Sequence, residues 1–154
     1  MHEEIDKQRL MKIANGAVDQ AQFLFMRDGF LSPIALAVKG QSIVPVCFSG
    51  EDSKEDQAAA IKALADADCG AVIFVTDAEV ADSDDPNVKC IEDVPKEDRT
   101  SAILTLIYTR KGTIIRRTLY AMNKEAHRPN FADFGWEEGF KVDQGSVFAN
   151  PYGV

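Results

Sequence analysis

Two histidines and three cysteines are all that this 154-residue chain holds of the side chains that most often bind transition metals or act as nucleophiles. His2 and His127 stand near opposite ends. Neither belongs to HExxH or another metal-ligand spacing, which excludes the common zinc hydrolase designs. Cys47, Cys69 and Cys90 are far apart and lack CxxC spacing, so neither a disulfide framework nor a zinc site is expected. Cys47 in a strand pattern and Cys69 at a helix end read as small buried hydrophobes. Cys90 lies among acids that disfavour its thiolate. GxSxG, GxxxxGK[ST] and GxGxxG are all missing. The nearest glycine signature, FSGEDSK, leads into a helix whose first turn is acidic and repels an anion. No apolar run approaches the ~20 residues needed to cross a bilayer. The start, MHEEIDKQRLMK, lacks the basic and apolar regions of a secretory signal. The expectation is a cytoplasmic protein with no cofactor and no membrane contact.

Charge is present but lopsided. The formal net charge is −8. The excess sits in residues 51–99, which hold 15 acids and 5 bases. An acidic middle argues against nucleic acid as the partner, because phosphate binding needs clustered Lys and Arg. Arg110, Lys111, Arg116 and Arg117 form one local basic patch. Its simplest reading is a solvated strand face and turn.

What the chain does hold is a strong β pattern. In SAILTLIYTRKGTIIRRTLYAM, Ala102 to Thr109 is apolar or β-branched at nearly every position, the mark of a strand covered on both faces. Thr113 to Met122 is a second, partly solvated strand, joined to the first at Lys111-Gly112. Upstream, Leu10, Ile13, Ala17, Ala21 and Leu24 recur at helical spacing and predict a helix over 3–28, with Gly29 as its left-handed stop. Gly16 marks a kink or a close helix contact. Phe23, Phe25 and Phe30 are too many rings for one narrow stripe, so some are expected to face a partner chain or the tail. Ile34 to Val38 and Ser42 to Phe48 read as a hairpin, and Pro45 places the latter at an edge or bulge. A helix over 54–67 capped by Asp52 or Ser53 follows, then a central strand at Ala71 to Thr76. Residues 77–100 read as a long acidic loop, and 123–154 as a ring-rich tail that lies on the sheet, adds a short strand or crosses to another subunit.

These elements predict a single α+β domain over 1–154, with a mainly antiparallel five-stranded sheet and two principal helices in the order α-β-β-α-β-β-β. That order resembles the profilin-like arrangement of roadblock and longin-type modules, a likeness of topology that fixes no function. The residues DGFLSPIALAVKGQSIVPV and EDVPKEDRTSAILTLIYTRKGT also resemble a group of small bacterial proteins of unknown function. The matching positions are Asp28, Gly29, Leu31 and Pro33, then Pro95, Glu97, Asp98 and Arg99, then Thr109, Arg110 and Gly112. No activity, and so no catalytic residue, follows from that resemblance.

Two candidate surfaces remain. Asp77, with Arg116 and Arg117 facing it, is a candidate site for a polar ligand. Asp77, Glu79, Asp82, Asp84 and Asp85 offer oxygen ligands for Mg²⁺ or Ca²⁺. The run from Asp82 departs from an EF-hand loop at Pro86, which occupies a ligand position. With no assembled catalytic set, the first expectation is a non-catalytic interaction or accessory module that forms a homodimer through its excess of large rings; an accessory protein whose partner is another protein is a further reading, supported only by the acidic middle. The alternative is a ligand- or metal-binding domain, or an enzyme, built on residues 77–85 and 110–117.

Overall fold

The structure is a computed structural model, and it describes residues 5–49, 51–67, 69–81, 87, 93–123, 128–139 and 146–154. Helix α1 spans Lys7–Asp28. Asp6 caps it by accepting the Gln8 amide at 3.1 Å, and Gly29, at φ 79°, closes it by donating to the Phe25 carbonyl. Leu10, Ala14, Val18, Ala21 and Phe25 are its buried face. Strands β1 (Ile34–Lys39) and β2 (Ser42–Cys47) form the first hairpin, turning at Gly40 with φ 57°. Helix α2 spans Lys54–Asp66, and Ser53 caps it by accepting the Asp56 amide at 3.0 Å. Then come β3 (Ala71–Val80), a 3₁₀ turn at Lys96–Asp98, β4 (Thr100–Thr109), β5 (Gly112–Asn123) and β6 (Arg128–Glu137).

All neighbouring strands are antiparallel, in the order β2-β1-β3-β4-β5-β6. The sheet thus has six strands, one more than the sequence pattern predicts. The sixth comes from the ring-rich tail. Its alternation is obscured by Pro129 and by a bulge, where Thr118 pairs with Asp133 but Arg116 pairs with Trp136. Gly135, at φ 73°, absorbs the extra residue. Strand β3 also runs on to Val80, through residues expected in the acidic loop.

Strand β4 lies inside the sheet, and Ala102 to Tyr108 are buried along it. Alternate residues serve two cores. Ile73, Val75, Ile103 and Ile107 pack with the buried face of α1. Val72, Phe74, Leu104, Leu106 and Tyr108 form the opposite core with Ile61 of α2. The last residues close that second core: Tyr108 donates to the Phe148 carbonyl at 2.9 Å, and Tyr152 to the Cys69 carbonyl at 2.7 Å. Cys69 is buried as expected, but Cys47 is exposed, because β2 is an edge strand with little packed over it. Cys90 lies outside the described residues.

The register settles which way each edge points. Phe48 donates its amide to the Pro33 carbonyl, so residues 42, 44 and 46 turn their amides toward β1 and residues 43, 45 and 47 face outward. Pro45 therefore lacks its N–H on the free side. The same alternation, carried from the Thr109↔Gly112 closing pair across β5, leaves the Pro129 nitrogen on the free side of β6. Each outer margin of the sheet thus has one donor deleted where another strand would bind.

Candidate functional site

Asp77 owes its surroundings to a difference in strand length. Pairing of β1 with β3 ends at Ile34↔Val75, so at Asp77 the β1 side of β3 is open. Lys54, in the first turn of α2, reaches this opening. Its Nζ donates to Thr76 Oγ1 at 2.8 Å and to the Asp77 carbonyl at 3.2 Å. The Asp77 carboxylate lies on the α1 face and accepts the Tyr120 hydroxyl at 2.7 Å. The Tyr120 ring packs 4.5 Å from that of Phe25. All three titratable groups are disturbed, and burial is the leading cause in each. It pushes the Asp77 carboxyl up, against the opposing pull of the Tyr120 hydrogen bond and the Lys54 charge. It pushes the Lys54 ammonium down, with the Asp77 charge resisting. It raises the Tyr120 phenol, and the bond to Asp77 adds to that rise. The cluster is a carboxylate that accepts a phenol, with a half-desolvated ammonium beside its backbone.

The two arginines lie elsewhere. As consecutive residues of β5 they point to opposite faces of the sheet. Arg116 is on the α1 face and forms a fork with Asp133, its Nε lying 2.8 Å from Oδ2. It also donates to Asn15 Oδ1 of α1 at 3.0 Å and lies over the Trp136 ring. That fork holds the Asp133 carboxyl below its usual range. Arg117, on the α2 face, pairs with Glu137 at 2.7 Å. It lies beside a cavity of about 110 Å³ among Val80, Thr100 and Phe134. That volume is well under the several hundred Å³ of a typical small-molecule pocket. The structure thus joins Asp77 to Tyr120 and Lys54, and the arginines to Asp133, Asn15 and Glu137. Asp82, Asp84 and Asp85 lie outside the described residues. No group of three potential metal ligands gathers among the described residues.

A second surface is apolar. Phe25 points into the core, so Phe23, about 200° away around the helix, points straight out. Phe23 is 58% exposed and Met26 48%, and Phe30, just past the Gly29 cap, is 62% exposed. Phe23 and Met26, near the end of α1, and Phe30, just past it, are thus large apolar side chains open to solvent.

Sequence reasoning missed Lys54, Tyr120, Asp133 and Asn15. Tyr120 was recoverable: it shares a face of β5 with Arg116 and Thr118, and Thr118 lies level with Asp77 across Ile103. The other three depend on helix placement and on the bulge, which no local pattern specifies. No helix among the described residues is long and apolar enough to cross a membrane. No protein-family model, curated protein or solved structure matches the chain.

Proposed function

We propose that the chain is a non-catalytic protein-interaction or accessory module that works as a homodimer. The observation that carries this reading is the exposure of Phe23 and Met26 on the outer side of α1 and of Phe30 just past its end. Large exposed rings are costly in water and are enriched at interface centres. The proline-interrupted sheet margins support the same reading, since they discourage association by strand addition and leave a helix surface as the docking route. Light scattering after size-exclusion chromatography tests it. A dimer at micromolar concentration is expected, and a monomer across that whole range removes the reading.

The half-buried Asp77 with Lys54 and Tyr120 favours one alternative, a small-ligand or divalent-metal-binding domain that extends through Asp82, Asp84 and Asp85. Thermal shift against Mg²⁺, Ca²⁺ and a panel of polar metabolites addresses it. The alternative requires stabilisation by at least one of them that Asp77→Ala abolishes.

A further inference from the structure

We draw no further inference here: the strongest candidate, the exposed apolar surface of Phe23 and Met26 on α1 with Phe30 just past its end, belongs to the surface already described, and nothing in the structure shows what covers it.

Discussion

Asn15 Oδ1 accepts the indole N–H of Trp136 at 2.9 Å while accepting Arg116 at 3.0 Å. One amide oxygen thus ties the middle of α1 to the edge strand β6 and to its neighbour β5. Asn15→Ala should cost about 1 kcal/mol in urea denaturation, since water replaces part of what is lost. Trp136 is the only tryptophan, so its emission reports this contact directly. A red shift is expected in the variant, and identical emission together with identical stability would refute the tie.

The Arg116–Asp133 fork makes a pH prediction. Its carboxyl is held below the ordinary value, and Gly135 adds a backbone bond. A group of this kind contributes stability above its unfolded pKa, about 3.9, and loses it as pH falls through the depressed folded value. The advantage of the parent over Asp133→Asn should therefore be constant above about pH 5 and shrink below about pH 4. Urea titrations across that range measure it, and parallel curves down to pH 3 would contradict it.

Asp77 predicts the opposite slope. Burial raises its carboxyl, so the folded chain binds the proton more tightly than the unfolded chain does, and stability falls as pH rises through the carboxylate range. Asp77→Asn keeps an acceptor for Tyr120 without the buried charge. Relative to the parent, it should gain stability as pH climbs from about 4 toward neutrality. A parent that instead gains on the variant over that range would show that Tyr120 and Lys54 outweigh burial.

The outward nitrogen of Pro45 is testable in the same spirit. Pro45→Thr restores a donor to a strand whose Ile43 and Val44 are already exposed. Light scattering on standing should rise faster for the variant than for the parent, through edge pairing. Equal rates would mean that the short length of β2 is protection enough.

The two helices and the first five strands were legible because each signals within its own few residues: the stripe from Leu10, the turn at Gly40, the continuous apolar run of β4. Strand β6 was not, because Pro129, Asp133 and Gly135 break its alternation and its pairing is supplied by β5. The candidate sites fared worse for the same reason. Arg116 and Arg117 are neighbours in sequence, which suggested one patch, yet a strand sends consecutive side chains to opposite faces. Asp77 was expected at a strand end, whereas β3 continues to Val80. The outward rings of α1 did carry a signal, an excess of phenylalanine beyond what one buried stripe can hold.

The strand order has a kinetic corollary. Pairings β1–β2, β4–β5 and β5–β6 join strands separated by four residues or fewer, so these hairpins close quickly and independently. Pairing β1 with β3 requires α2 to be looped over the sheet, and pairing β3 with β4 requires closing residues 81–99. Loop closure must precede the reward from such distant contacts. The rate of reaching the native state is thus set where Ala35, Phe74 and Leu106 come together, as β3 joins a two-stranded to a three-stranded piece.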